Sequence, residues 1–162
     1  MNLRKQSPGH RALRKGRVSL AHHYYLITTV CERRKPYFAD AMCAAAIASI
    51  LREKRIWRDS TALCWVLMPD HLHILLQLGC HESLSHLMNR LNSVTAHAVI
   101  RRDCDIGRVW MRGFHDRAVR CEEDPWIVAR YVLENPIRAG LVGTLEAYPF
   151  WDCVWERDLS TW

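Results

Sequence analysis

The sequence lacks the cysteine pattern of a disulfide-stabilised protein. Its seven cysteines are odd in number and scattered, and no two of them form a C-x-x-C pair. Small secreted scaffolds instead carry regularly spaced, even numbers of cysteines. We therefore expect reduced thiols and a cytoplasmic protein.

Long apolar runs and internal repeats are missing as well. The longest apolar run, residues 41–51, is interrupted by Ser49 and is too short to cross a bilayer. The basic N-terminal residues are not followed by an apolar stretch with a cleavage site. We therefore expect neither a membrane-spanning helix nor a signal peptide, and the 162 residues predict a single domain.

Acidic residues are scarce near the N-terminus. Residues 1–35 contain nine basic residues and a single acid, Glu32, for a net charge of +8, whereas the other 127 residues contain 14 basic and 16 acidic residues. This asymmetry indicates a polyanionic partner, most often nucleic acid. The segment 1–20 predicts a basic, loosely ordered arm, and residues 21–158 a folded domain. The cations expected to bind from the arm are Arg4, Lys5, Arg11, Arg14, Lys15 and Arg17.

Hydrophobic periodicity predicts an α+β domain with a largely antiparallel sheet and packed helices. Aromatic and β-branched residues from His22 predict the first strand, and Asp40 is placed to cap a helix. Residues 62–78 are typical of two antiparallel strands that meet at Met68-Pro69-Asp70. The remaining expected elements are a helix over 81–102, a strand over 109–119 and a helix from Pro125 to a stop at Asn135-Pro136.

The triplet His71-Leu72-His73 is the sharpest local feature. Residues two apart in a strand point to the same face, so the two imidazoles lie side by side while Leu72 enters the core. Two neutral imidazoles can bind a divalent metal ion. An H-x-H triplet alone is nevertheless more typical of a polar strand surface than of a ligand pair.

Tyr131 and Asn135 lie four residues apart on the last predicted helix and share one face. A tyrosine hydroxyl becomes a useful nucleophile when a metal ion polarises the electrophile and a covalent intermediate forms. A tyrosine flanked by Val128 and Val132 is, however, ordinarily a core aromatic. At this stage the pattern leaves both interpretations open.

Four segments of the sequence, taken together, favour the functional interpretation of the histidine triplet and of Tyr131. They are MPDHLH at 68–73, RVWMRGFHDRAVR at 108–120, ARYVLENPIRAGLV at 129–142 and YPFWDCVW at 148–155. In this order and spacing they resemble the REP-associated tyrosine transposases, relatives of the single-tyrosine transposases of bacterial insertion sequences. The resemblance extends over about residues 20–155.

This resemblance implies an HUH endonuclease fold with a defined set of site residues. His71 and His73 would be the metal ligands, for Mg²⁺ or Mn²⁺, and Tyr131 the nucleophile. Asn135 would be the third ligand, in a place where insertion-sequence relatives usually have the longer glutamine. His115 and Asp116 are ranked below Tyr131 and are expected on a strand beside the site.

The same resemblance implies the reaction and the partners. The substrate would be single-stranded DNA next to a hairpin of a repetitive extragenic palindrome. The protein would cleave and rejoin this DNA through a 5′-phosphotyrosine link. It would be a bacterial, nucleoid-associated protein that acts as a monomer or a homodimer. In the domain, the expected DNA contacts include Arg90, Arg120 and Arg138. One alternative is a catalytically silent DNA-hairpin-binding protein of the same fold. A hydrolytic metalloenzyme is a weaker alternative, because no further ligand set or acid/base carboxylate stands out.

Overall fold

A five-stranded antiparallel sheet organises the chain. The computed structural model describes residues 19–103 and 106–155. The strands are β1 Tyr24–Val30, β2 Thr61–Met68, β3 His71–Gln77, β4 His115–Ala118 and β5 Trp151–Cys153, and they lie in the order β4-β1-β3-β2-β5. The α-helices are α1 Ala41–Arg52, α2 Lys54–Trp57, α3 Leu84–Ile100, α4 Pro125–Leu133 and α5 Asn135–Arg138. Short 3-10 turns occupy Glu32–Arg34, Tyr37–Ala39 and Leu145–Ala147. The predicted α+β class is confirmed.

The central hairpin follows the sequence prediction closely. β2 and β3 are joined by Pro69 and Asp70, with Met68 opposite His71 and Leu67 opposite Leu72. Both strands are rich in β-branched and large apolar residues, which suit a sheet covered on both faces. This hairpin fixes the direction in which every side chain of β3 points.

Two apolar layers cover the two faces of the sheet. Leu72, Ile74 and Leu76 of β3 belong to the cluster that also contains residues of α1 and α3. Leu75 points to the opposite face, where it packs in a cluster with Val128 and Val132 of α4. Since side chains alternate along a strand, residues 71 and 73 lie on the α4 face.

Side-chain caps begin three of the helices. Asp40 accepts a hydrogen bond from the N–H of Cys43 at the start of α1, as predicted. Ser83 caps α3 through the N–H of His86, and Asp124 caps α4 through the N–H of Trp126. Each cap satisfies a backbone donor that the first helical turn leaves unpaired.

One predicted strand needs correction, and one strand of the sheet was not predicted. The strand expected over 109–119 shrinks to β4, because Gly113 adopts a φ of 85° and the chain bends there, although Trp110 still makes an isolated bridge with Cys31. β5 was not predicted. It has three residues, too few for a readable alternation, and it forms only by pairing with residues 64–66 of β2.

The described cysteines are divided between the interior and the surface of the fold. All six described cysteines are free thiols, three of them buried. Among the described residues, no helix is long and apolar enough to cross a membrane.

Candidate nuclease site

The two histidines of β3 converge at the turn end of the central hairpin. Nε2 of His71 lies 3.1 Å from Nε2 of His73, with the rings edge to face. Leu72 between them is fully buried on the other face of the sheet. The pair is therefore built into a central strand, a rigid part of the fold.

Each imidazole is oriented by a partner at its other nitrogen. Thr28 of β1, opposite His73 in the sheet, lies with its Oγ1 2.8 Å from Nδ1 of His73. Asp70 lies with Oδ1 2.5 Å from Nδ1 of His71, and its other oxygen accepts a hydrogen bond of 3.0 Å from Arg34. Arg34 itself has a φ of 52°, which non-glycine residues rarely adopt. The contacts of Asp70 and Thr28 occupy both Nδ1 atoms and leave the two Nε2 atoms adjacent to each other.

The surroundings of the pair keep His73 neutral near pH 7. Burial, together with the nearby positive charges of His71 and Arg138, lowers the pKa of His73 to about 4. Burial alone would raise the pKa of Asp70, but the hydrogen bonds from His71 and Arg34 outweigh it and hold that pKa below its usual value. A neutral imidazole beside an ionised carboxylate is the protonation state that metal binding requires.

The donor set fits a divalent metal ion. Two nitrogens bound at right angles to one ion, each at about 2.1 Å, lie about 3.0 Å apart. The Nε2 atoms of His71 and His73 match this spacing. The partners at both Nδ1 atoms match the outer contacts that normally orient metal-binding histidines.

Tyr131 lies on the solvent side of α4 and is 57% exposed, so it is not a core aromatic. The guanidinium carbon of Arg138 lies 4.0 Å from the centre of its ring. The charge of Arg138 also lowers the pKa of His73, while Tyr131 itself lies on the helix that covers the histidine face.

Asn135 stands at the junction of α4 and α5. Its amide nitrogen donates to the carbonyls of Val132 at 2.8 Å and Tyr131 at 3.3 Å. Pro136 has no N–H for the carbonyl of Val132, so the side chain of Asn135 replaces the missing helical bond. These contacts give Asn135 a capping role, and its role as a metal ligand stays a prediction.

His115 extends the row of polar side chains across the sheet. It is exposed and pairs with Thr28 in the β1–β4 register, and Thr28 in turn pairs with His73. Paired residues in antiparallel strands share a face, so His115 lies on the face of the histidine pair, one strand beyond Thr28. Its place beside the site agrees with the sequence expectation.

A family model for IS200-like transposases matches residues 19–135, which span β1 to the start of α5. The chain belongs to this family. No match was found among curated proteins.

Two solved structures share the fold of this IS200-like transposase. A REP-associated tyrosine transposase bound to a REP hairpin is 22% identical, with a TM-score of 0.65, and the match covers 83% of this chain and 79% of that one. A Deinococcus radiodurans R1 protein proposed to be a transposase is 18% identical, with a TM-score of 0.54, over 74% of this chain and 95% of that one. The sequence-based resemblance to tyrosine transposases is confirmed at the level of family and fold.

Arg90 of the transposase is held inside the fold. Its guanidinium makes two hydrogen bonds to the carboxylate of Glu82, whose side chain is 4% exposed. It also donates two bonds of 3.0 and 3.1 Å to the carbonyl of Ile56. These contacts fix the start of α3 to α2, so we leave Arg90 out of the proposed DNA-binding set.

The other cations expected to contact DNA differ in position. Arg120 is exposed after β4, and Arg138 packs on Tyr131 as described above. The six cations of the arm, at positions 4, 5, 11, 14, 15 and 17, lie outside the described residues. Their contribution stays a prediction.

A second cluster of metal-binding side chain types lies at the opposite end of the hairpin. Asp59, Cys80 and His81 are the one described group in which three such side chains converge. The backbone N–H groups of Cys80 and His81 and the ring of His81 all bond to the carboxylate of Asp59, which holds its pKa well below the usual range. We assign this cluster a structural role, because its carboxylate already joins the start of β2 to the end of β3.

The sequence did not predict Thr28, Asp70 and Arg34 as part of the site. Asp70 directly precedes His71 in the chain, so its position could have indicated that it contacts the histidine. Thr28 lies 45 positions before its partner His73, and only strand pairing brings the two together.

Proposed function

We propose that this transposase cleaves and rejoins single-stranded DNA beside a hairpin, with Tyr131 as the nucleophile. The observation that carries the proposal is the convergence of two oriented imidazoles on the sheet face that is covered by α4, the helix that carries the exposed Tyr131. The fold similarity to a structure bound to a REP hairpin supports DNA of that kind as the substrate.

His71 and His73 would hold the Mg²⁺ or Mn²⁺ ion, and Asn135 is the proposed third ligand. When bound, the ion supplies Lewis-acid polarisation of a phosphate oxygen. Asp70 and Thr28 occupy the Nδ1 sides of the two rings, so that the Nε2 atoms would be the ones available to hold the ion.

The phenol oxygen of Tyr131 would attack the phosphorus of one phosphodiester. A bond forms between the tyrosine oxygen and phosphorus, and the bond from phosphorus to the 3′ oxygen breaks. The tyrosine proton leaves the phenol, and the departing 3′ oxygen takes up a proton to become a hydroxyl. The 5′-phosphotyrosine link preserves the ester, so another 3′-hydroxyl can reverse the step and rejoin DNA without ATP.

DNA binding would combine phosphate contacts with the shape of the hairpin. Arg120 in the domain and the six cations within residues 1–17 are the proposed phosphate contacts. Such contacts release counterions, so binding weakens as salt concentration rises. The domain would thus carry the chemistry and the basic arm much of the affinity.

Incubation with a single-stranded hairpin oligonucleotide and Mn²⁺ tests the proposal. On a denaturing gel, the wild-type protein should form a covalent band, and Tyr131→Phe should bind the DNA without forming it. Tyr37→Phe is a matched control at another tyrosine and should retain the band. A band that persists in Tyr131→Phe would place the nucleophile elsewhere. Retardation on native gels alone would support the silent DNA-hairpin-binding protein.

A further inference from the structure

The side chain of Arg138 is held against Tyr131 by three contacts. Its guanidinium carbon lies 4.0 Å from the centre of the tyrosine ring. Nη2 donates a bond of 2.7 Å to the backbone carbonyl of Tyr131, and Nη1 lies 3.3 Å from Oε2 of Glu134. The guanidinium is thereby fixed over the ring by groups on α4 and by Glu134 at its C-terminal end.

The break between α4 and α5 makes this contact possible. In a continuous helix, N–H groups four residues further on occupy the carbonyls of residues 131 and 132. Pro136 has no N–H for the carbonyl of Val132, to which the side chain of Asn135 bonds instead. The side chain of Arg138 bonds to the carbonyl of Tyr131, one residue earlier. The kink therefore turns Arg138 back toward the ring of Tyr131.

An exposed tyrosine needs such support to hold one orientation. A side chain that is 57% exposed has few packing contacts to choose among its rotamers. A planar guanidinium can stack on an aromatic face while its N–H groups bond elsewhere, which a lysine ammonium cannot do. Arg138 is thus chemically suited to fix the ring.

We propose that Arg138 is a positioning residue, which holds the ring of Tyr131 in the orientation required for attack on the DNA phosphate. The inference rests on the proposed nuclease function and deepens it. It also replaces the expectation that Arg138 serves mainly as a DNA contact, because its N–H groups bond to Tyr131 and Glu134.

Cleavage kinetics separate positioning from DNA binding. Arg138→Ala should lower the single-turnover cleavage rate at saturating DNA about 100-fold, the loss expected from a misplaced reactive group. The Kd for the hairpin should stay unchanged, and Arg138→Lys should recover little of the rate. Arg130→Ala is the matched control, since Arg130 bonds to the same Glu134 and should cleave normally.

Two kinetic outcomes would overturn the proposal. One is a weaker Kd with a normal rate at saturating DNA in Arg138→Ala, which would make Arg138 a DNA contact. The other is an equal loss of rate in Arg130→Ala, which would trace the effect to the charge of the helix. Thermal unfolding of each variant identifies any loss of rate that arises from misfolding.

A measurement without DNA keeps this test independent of the proposed function. Fluorotyrosine is incorporated, and its NMR resonance at position 131 is assigned with Tyr131→Phe. Arg138→Ala should move that resonance toward the position of free fluorotyrosine, whereas Arg130→Ala should not. An unmoved resonance contradicts the positioning role even if cleavage is lost. A moved resonance in a protein whose wild type forms no covalent band supports the Arg138 contact and contradicts the nuclease function.

Discussion

Thr28 offers the sharpest test of the site, because its hydroxyl lies against one of the two proposed metal ligands. Its hydroxyl lies 2.8 Å from Nδ1 of His73 on the neighbouring strand. When Nδ1 of His73 donates its proton to Thr28, the lone pair of the ring is on Nε2, which lies 3.1 Å from Nε2 of His71. Thr28→Val removes the hydroxyl while changing the volume of the side chain little.

The expected effect follows from the number of oriented ligands. Loss of one outer contact to a metal-binding histidine typically weakens metal affinity 10- to 100-fold. His71 retains its own partner, Asp70, so we expect the lower end, about a tenfold rise in the Kd for Mn²⁺. Tenfold corresponds to about 1.4 kcal/mol, close to the value of a single hydrogen bond.

Titration of Mn²⁺ followed by electron paramagnetic resonance measures this change directly. Thr61→Val, an exposed threonine on β2, serves as the control and should bind like the wild type. His73→Ala should lose the site. If His73→Ala abolishes binding while Thr28→Val binds as tightly as the wild type, Thr28 does not orient the metal ligand and the reasoning is wrong.

Three further predictions concern acid stability, Arg90 and the basic arm. The pKa of His73 is about 4 in the folded protein and about 6.5 in the unfolded chain. As the pH drops, the unfolded chain therefore binds the proton first. The free energy of unfolding should fall by up to about 3 kcal/mol between pH 6.5 and pH 4. Arg90→Met should destabilise the fold by about 3 kcal/mol in urea unfolding, because it leaves the buried carboxylate of Glu82 without its main partner, while hairpin affinity stays unchanged. Deletion of residues 1–17 should lower the slope of log K against log salt by up to about 4, since six cations are removed.

Each of these predictions has its own control. The acid-dependent loss should disappear in His73→Gln, and an identical pH profile in that variant would assign it to other groups. Arg90→Met combined with Glu82→Leu should regain stability, because no buried charge is left unpaired. If Arg90→Met weakens hairpin binding while the fold stays intact, Arg90 is a DNA contact. Equal salt slopes with and without residues 1–17 would show that the charge of the arm is incidental.

The strands of the site were predictable because their signals are local. The alternation in β3 placed His71 and His73 on one face, and the Pro69-Asp70 turn set the hairpin that holds them. The caps at Asp40 and Asp124 depend on residues three or fewer positions away. Strand alternation, tight turns and helix caps depend on residues close together in the chain, so they can be predicted from the sequence.

The partners of these residues were decided by tertiary structure. Thr28 meets His73 only because β1 pairs with β3, and β5 exists only because residues 151–153 find the edge of β2. Arg90 is of a residue type that usually lies at the surface. Packing of α3 against α2 holds its guanidinium inside the fold, where it bonds to the carbonyl of Ile56. A charge along the sequence does not reveal its partner when that partner comes from another element.

Tyr131 shows most clearly which features depend on the local sequence and which depend on tertiary structure. The sequence by itself determined a helix that begins at Pro125 and carries Tyr131. It also determined a break at Asn135-Pro136, because proline cannot donate the helical hydrogen bond. Only the tertiary structure decided that the kinked chain would bring Arg138 back over the ring and that α4 would cover the histidine face. The orientation of a side chain depends on packing between elements, whereas the start and end of a helix depend on the residues at those positions.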